Sequence, residues 1–494
     1  MSAVAAPPAP ADAGVARRLA VSAASQQVAK VVHLVLNVLT SLLVVRYLGP
    51  AGYGDYAKVI VVVGWTSLIG DSGLPKVALR VAADAGVRIG DVIGTVTALR
   101  LALSVLAAGV TQLALTVVHP TTAVRVAAAV ACLFFVVEAL MSCIIAFQVR
   151  LQQQYEGLVR VTMELVELAT LLTVMARHGG LVALFASPIL GGVLGVVLAV
   201  TLTRRHVAER SAYDSVLARR LVRLTLPVVP GALLGVLILK LDGLMVAALG
   251  TRTDAGVYVA AFQPIEYVFL ALGTLVAYPF LPVLVSTRHS DRATFTATYR
   301  RATEFVIALT LPVAAVIAVA GTPLVRAMYG DGWEAAVRPM QILALALAFM
   351  GVSGWHGFVL LAADRQIDSL RYGTVALLVS FVACLALVGR LGPAGGAWAA
   401  LLANVAGAAY SIVLVRDRVQ LSFPYAGALR LVGATGALAA CLFAVRATHA
   451  PWPALVVLAL PFYIGALWAF RVVTRSDLRV IARRPEPAAV GSPS

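Results

Sequence analysis

Long apolar runs separated by short charged turns set the plan of this chain. Eight stretches of eighteen or more residues contain no Asp, Glu, Lys or Arg, at 101–124, 178–203, 267–287, 305–325, 339–363, 372–389, 391–415 and 447–470. A helix of about 20 apolar residues crosses roughly 30 Å of hydrocarbon, and only helices or closed barrels satisfy their backbone hydrogen bonds there. With the less continuous runs added, the pattern predicts fourteen helices, starting near residues 27, 56, 91, 125, 157, 179, 224, 256, 302, 339, 372, 393, 429 and 453. The first, second, fifth and seventh are interrupted by charge, so twelve or thirteen spans are the competing counts.

Charge distinguishes between these counts. Cytoplasmic connections collect Lys and Arg, whereas those on the far side do not. With the N-terminus inside, one set of alternate connections holds clusters such as Arg204, Arg205, Arg210, Arg219, Arg220 and Arg223, and another after the last helix holds Arg471, Arg475, Arg479, Arg483 and Arg484. The other set carries one cation each (Arg46, Arg125, Arg177, Arg252, Arg390, Arg446), with Arg326 and Arg338 sharing a loop. Removing one helix would reverse every later sign, so fourteen spans with both termini cytoplasmic is the favoured topology.

Composition agrees: 61% of residues are hydrophobic and 13% charged, which leaves no room for a large soluble domain. The net charge of +16 would suggest nucleic acid in a soluble protein, but here the basic loops face anionic lipid headgroups and no nucleic-acid motif accompanies them. Cys132, Cys143, Cys384 and Cys441 lie in apolar segments without metal-ligand spacing and read as lipid-facing or core fillers, so no metal or other cofactor is expected. Met1–Val15 lacks the basic start and cleavage pattern of a signal peptide and reads as a disordered tail.

The chain also repeats at about 200 residues. Leu48-Gly49 followed by Gly54-Asp55-Tyr56 recurs as Leu249-Gly250 followed by Gly256-Val257-Tyr258, and Gly179-Gly180-Leu181 before the sixth helix is echoed by Gly395-Gly396-Ala397 before the twelfth. Six helices repeated in the same orientation make a parallel transporter repeat, with a site between lobes near midplane. The expected fold is an all-α polytopic membrane protein of about fourteen transmembrane helices, with two pseudo-symmetric six-helix lobes plus two C-terminal helices. The expected division is 1–20, a disordered cytoplasmic tail; 21–205, the first lobe; 206–220, a cytoplasmic linker; 221–417, the second lobe; 418–475, helices thirteen and fourteen; and 476–494, a second cytoplasmic tail.

Several motifs carry a family resemblance. Arg46 through Ala57 (Arg-Tyr-Leu-Gly-Pro-Ala-Gly-Tyr-Gly-Asp-Tyr-Ala), Asp71-Ser-Gly-Leu74, Asp242 followed by Leu249-Gly250 and Gly256-x-Tyr258, and Asp364-Arg365-Gln366 through Gly392-Pro393-Ala-Gly-Gly-Ala-Trp398 occur in order. In these the chain resembles the polysaccharide and oligosaccharide flippase family of the MATE-like exporter superfamily, over residues 20 to about 475. Where relatives often carry Asn in the eleventh helix, this chain has Ser380. The resemblance implies alternating access by two lobes, moving a polyprenyl-(pyro)phosphate-linked glycan across the cytoplasmic membrane, with membrane lipids and glycan-assembly proteins as partners. It implies no nucleotide site, and the sequence has no Gly-rich phosphate loop.

The candidate chemistry is charge within apolar helices. Gln26, Lys30, His33, Asn37, Thr40 and Ser41 share one face of the first helix, and Gln263, Glu266, Tyr267, Thr274 and Tyr278 form a stripe on the eighth. Such a face lines a hydrated cavity or makes a polar helix–helix seam. Lys240 and Asp242 follow Pro227 and Pro230 in the seventh helix; Lys240 binds substrate, pairs with Asp242 or snorkels outward. Arg100 and Glu138, deep in the third and fourth helices, are a structural ion pair or a pyrophosphate site beside a proton acceptor. Glu156, Arg160, Glu164 and Glu167 make a stripe on the fifth, with Glu156 and Arg160 read mostly as a solvated pair. Lys30, Arg46, Arg100 and Lys240 are therefore the expected cationic sites for a phosphate headgroup, with His33, Asn37, Gln263 and Glu266 as neighbouring polar contacts. Glu138, Asp71, Asp242 and His33 are coupling candidates; His33 and His356 titrate near neutral pH or are packing residues.

Two other functions compete. A multidrug exporter of the same superfamily favours an acidic, aromatic lining and twelve helices. A scaffold for a glycan-assembly complex would share the fold without transporting. A membrane glycosyltransferase needs a sizeable acidic or metal-binding loop, which the Arg-rich 204–220 connection does not supply.

Overall fold

The computed structural model describes residues 13–71, 73–84, 86–118, 120–150, 152–206, 211–227, 229–288, 290–447 and 452–470; within these, the side chains of 13–28, 30, 71, 206, 232, 274, 277, 278, 452, 454 and 456 lie outside the description. Among the described residues every regular element is helical, so the all-α expectation holds. Among the described residues eleven helical segments are long and apolar enough to cross a membrane. The first two predicted helices are limbs of one element, α1 (Ala13–Asp71). The sequence pattern placed a loop between them, but the chain turns at one residue, Gly49 (φ 63°, ψ 176°), after which Pro50 restarts the helix where its missing N–H costs nothing. Two further predicted spans fall outside the eleven: α6 (Gln153–Ala176), which carries Glu156, Arg160, Glu164 and Glu167, and the C-terminal helix Trp452–Ala469, whose apolar stretch is short. Fourteen spans therefore remains an expectation.

The chain packs as two compact units, residues 1–256 and 257–494. The first unit holds α1, α2 (Leu74–Ala82), α3 (Ile89–Ala114), α4 (Thr122–Leu140), α5 (Ile145–Val149), α6, α7 (Leu181–His206), α8 (Ser215–Thr225) and α9 (Val229–Leu249). Its core includes Val59, Val62, Leu115, Val124 and Phe185, with Val137, Ile144 and Val159 in a neighbouring cluster. Pro230 falls in the first turn of α9 and Pro227 in the turn before it, so these prolines shape the entry to the helix and do not bend its middle. The short helices α2 and α8 were not visible as elements in the hydropathy pattern because neither spans; both are amphipathic and pack on each other through Leu74, Ala78, Val81, Leu217 and Leu221.

α10 (Arg252–Thr287) starts at the end of the first unit and continues into the second, which adds α11 (Arg292–Tyr329), α12 (Val337–Ala362), α13 (Gln366–Leu391), α14 (Pro393–Leu414), α15 (Tyr425–Ala447) and α16 (Trp452–Ala469). α11 is 38 residues, about 57 Å at 1.5 Å per residue, so it extends beyond any bilayer core. Asp291 caps it, accepting hydrogen bonds from the Thr294 hydroxyl and from the Thr294 N–H (2.9 Å), and these hold its carboxyl below the usual carboxylate range. The core of this unit is aromatic: Phe295, Tyr299 and Trp355 are buried, with Trp355 Nε1 donating to Thr303 Oγ1 at 3.1 Å. Leu438, Leu442, Leu455 and Tyr463 seat the last two helices against α11. Cys132, Cys143 and Cys384 are buried fillers.

Candidate functional site

A cavity of about 430 Å³ opens inside the first unit, and of the sequence candidates Arg100 and Glu138 line it. Its polar lining also includes Ser67, Ser142, Gln148 and Arg160, while Phe134, Phe135 and Met141 make apolar walls. Arg100 on α3 is only 7% exposed. Its Nη1 donates to the Glu138 carbonyl and to Ser142 Oγ (3.2 Å), and its Nε donates to the Gly70 carbonyl (3.3 Å). Nη2 stands 3.7 Å from Glu138 Oε2, close enough for charge attraction but beyond hydrogen-bond length. The guanidinium is thus fixed by three acceptors while one of its nitrogens faces the cavity-lining carboxylate. Such a fork suits a phosphate oxygen, because Arg presents five donors in one plane and cannot lose its charge. Arg100 and Glu138 thus form an ion pair that borders open space.

A second polar line runs along α6. Glu156 accepts from Gln148 Nε2 (2.9 Å) and pairs with Arg160 (3.3 Å), so this end of the stripe reaches the cavity wall. Higher up, His33 Nδ1 lies 2.9 Å from Glu164 Oε1. The stripes of the first and fifth predicted helices therefore meet at this level, where half-exposed His33 pairs with the more buried Glu164. Substituting His33 by Ala should destabilise the protein by about 1–3 kcal/mol, since Glu164 is left without its partner. Glu164→Ala should cost a similar amount and the double variant less than the sum, as read by thermal unfolding in detergent; strict additivity would refute the pairing.

The internal repeat meets itself in the same unit. Gly54 packs so tightly that a Cβ there would fall on the Arg252 carbonyl, and a Cβ at Gly256 would lie 2.6 Å from the Pro50 carbonyl and 2.8 Å from Gly54 N. Repeat-equivalent glycines thus face one another, which only residues without side chains permit. Around them Arg252 pairs with Asp55 at 2.7 Å, and Lys58, one turn on, donates to the Val118 carbonyl at 2.9 Å. The start of α10 is fixed by a reciprocal cap: Asp254 accepts from the Thr251 N–H (2.8 Å) and Thr251 Oγ1 accepts from the Asp254 N–H (3.2 Å). In the sequence Gly54 and Asp55 stand out only as part of a repeated motif, and Lys58 carries no signal of its own. The repeat itself was the available signal.

The other candidates are dispersed. Arg46 is exposed, Asn37 half-buried, and Lys240 half-buried on α9, where Asp242 is buried and accepts from the Gly243 N–H at 2.9 Å. Gln263 and Glu266 are half-buried on α10 in the second unit. The side chains of Gln26, Lys30, Asp71, Thr274 and Tyr278 lie outside those described. His356 is fully buried between Tyr299 OH (3.1 Å) and Ser411 Oγ (2.7 Å), the arrangement of a packing histidine.

Residues 43–339 match the family described as "Polysaccharide biosynthesis protein". No curated protein matches the sequence. Among solved structures the chain is similar to the lipid II flippase MurJ in an inward closed conformation, with a TM-score of 0.74 and 13% identity over 93% of this chain and 99% of that one. It is also similar to an inward-facing multidrug resistance MATE family transporter of the MOP superfamily (TM-score 0.62, 11% identity, 78% and 94% covered). A MOP superfamily transporter from Pyrococcus furiosus, described as having a binding pocket of reversed polarity, matches with a TM-score of 0.55 and 13% identity over 82% of this chain and 95% of that one. At these identities the likeness is one of fold.

Proposed function

Because the chain belongs to the polysaccharide biosynthesis protein family, we propose that it is an alternating-access transporter that flips a lipid-linked oligosaccharide or polysaccharide precursor across the cytoplasmic membrane. The observation that carries this reading is Arg100: a permanently charged guanidinium, 7% exposed and deep in an apolar helix, on the wall of a cavity. Charge at that depth is costly, and an anionic passenger recovers part of the cost by charge-assisted hydrogen bonds. A polyprenyl pyrophosphate offers such an anion, while its tail stays in lipid. Resemblance to the MurJ fold fits this chemistry better than the multidrug alternative, whose cationic drugs an arginine wall would repel.

In this reading both termini are cytoplasmic, residues 21–205 and 221–417 are the moving lobes, and Lys30, Arg46 and Lys240 supply further cationic contacts during passage, with His33, Asn37, Gln263 and Glu266 contributing polar ones. Asp71 and Asp242 serve as coupling groups, and Glu138 is the counter-ion that a phosphate displaces from Arg100. The Gly54–Gly256 clasp lies toward the outer face and seals the path while the inner side is open. The test is reconstitution in liposomes with a fluorescent polyprenyl-pyrophosphate oligosaccharide, following its exposure to an impermeant sugar-modifying reagent. Movement several-fold faster than in protein-free liposomes is expected. No acceleration, with uptake of a cationic dye instead, would transfer the protein to the multidrug reading; no movement of either would leave the scaffold role.

A further inference from the structure

We propose that α8, with the exposed edge of α2, forms a binding surface for anionic phospholipid headgroups. The helix is locked onto the first unit from three sides. Leu217, Ala218, Leu221 and Thr225 are its buried stripe, packed on α2 and α3. The chain enters it so close to α3 that a Cβ at Gly94 would fall on the Ala212 carbonyl, and the Asp214 N–H donates to Thr95 Oγ1 at 3.0 Å. Asp214 then caps the helix through the N–H groups of Val216 (2.7 Å) and Leu217 (3.2 Å), while Arg220 reaches Asp84 at 2.7 Å. A helix so held presents a fixed outward face.

That face mixes two chemistries that water alone would not favour together. At 100° per residue Arg219, Arg220 and Arg223 lie opposite the buried stripe. Flanking them, Val216 is 70% exposed, Val222 49%, Leu224 45% and Leu226 68%. Apolar side chains that dip into acyl chains beside guanidinium groups that reach phosphates are the mark of an interfacial helix. On α2, Lys76 and Arg80 are exposed one turn apart. The acids nearby are already engaged, Asp84 by Arg220, Asp91 by Arg88 and Asp214 by the cap. No described carboxylate pairs with Lys76, Arg80, Arg219 or Arg223, so the surplus charge calls for an external anion. Interleaved leucine and valine favour a phospholipid over an acidic peptide, which would satisfy the arginines and leave the apolar groups in water. The surface would tie the linker to the leaflet on which it lies and let headgroup charge bias the movement of α9 beyond Pro227.

The full-length protein in detergent, mixed with phosphatidylglycerol or phosphatidylcholine and examined by native mass spectrometry, tests this. Wild type should retain phosphatidylglycerol in preference, and the preference should weaken as ionic strength rises. Arg219→Gln/Arg223→Gln should lower that preference about thirtyfold, the size expected for two interfacial arginines, while Arg219→Lys/Arg223→Lys keeps most of it. Unchanged thermal unfolding of both variants in phosphatidylcholine would show that α8 is still folded. Equal retention of the two lipids by wild type, an unaffected preference in the Gln variant, or displacement of phosphatidylglycerol by polyglutamate at matched charge would each overturn the proposal. Because no glycan lipid is present, the result is independent of whether the protein flips one.

Discussion

Replacing Arg100 with Leu is expected to destabilise the protein by on the order of 3 kcal/mol and to lower lipid-linked glycan flipping about 10- to 100-fold. The stability loss follows from breaking a buried pair; it sits at the lower end for such changes because Glu138 keeps a third of its side chain exposed. The three carbonyl and hydroxyl acceptors that hold the guanidinium lose their donor as well. The transport loss follows from removing charge-assisted donors to a phosphate, where each factor of ten corresponds to about 1.4 kcal/mol. The double variant Arg100→Leu/Glu138→Leu separates the two effects. An apolar pair of similar volume restores most of the stability lost in the single change, since buried ion pairs seldom outperform good packing. If Arg100 also meets the passenger, flipping stays low in the double variant despite restored folding. Recovery of both together would reduce Arg100 to a structural partner of Glu138 and remove it from the path. Glu138→Gln provides the converse arm: it keeps the hydrogen-bonding backbone carbonyl, frees Arg100 of a competing anion, and should reduce flipping far less than Arg100→Leu.

The apolar helices were legible in sequence because they depend on run length, which is local. Runs such as 339–363 and 391–415 correspond closely to α12 and α14. The loop drawn between the first two helices was not, since one glycine with positive φ and one proline kink the chain where a connection of about 2–8 residues is ordinarily expected. Pairings were legible only in halves. The stripe with His33 and the stripe with Glu164 each stood out at helical spacing, yet nothing in the 130 residues between them says that they face one another. Arg160 looked like one half of a solvated i,i+4 pair and is that, but tertiary packing also places it on the cavity wall beside Gln148. Arg100 was expected along the interface of two lobes; the cavity it lines is built wholly from residues of the first unit, a distinction that depends on how α3, α4 and α6 lean together and that no periodicity encodes. Lys58 was overlooked because a single charge in a helix already marked as weak reads as an interruption. Its meaning comes from Val118, Asp55 and Arg252, which only folding brings near.

Substituting Gly54 by Val is expected to lower flipping at least tenfold while leaving the protein inserted and folded. The argument is steric. The added Cβ would occupy the position of the Arg252 carbonyl, which belongs to backbone at the capped start of α10 and cannot rotate aside as a flexible side chain would. Overpacking of this kind costs about 1–3 kcal/mol, sometimes more, and the cost falls only on the state in which Gly54 and Gly256 touch. An equilibrium between a clasped and an unclasped state moves roughly tenfold for each 1.4 kcal/mol of such bias, so 2–3 kcal/mol would leave the clasped state scarce. Gly256→Val should act the same way through the Pro50 carbonyl, whereas Gly109→Ala, with nothing within 4 Å of its added carbon, should flip at the wild-type rate. A direct reading of the clasp is labelling of a cysteine at Ala57, which is fully buried just beneath it, by an impermeant maleimide added from outside. Gly54→Val should raise that labelling several-fold. Wild-type flipping together with unchanged labelling in both glycine variants would show that the two repeats can part at this point without consequence, and the seal would then have to be sought elsewhere on the outer face.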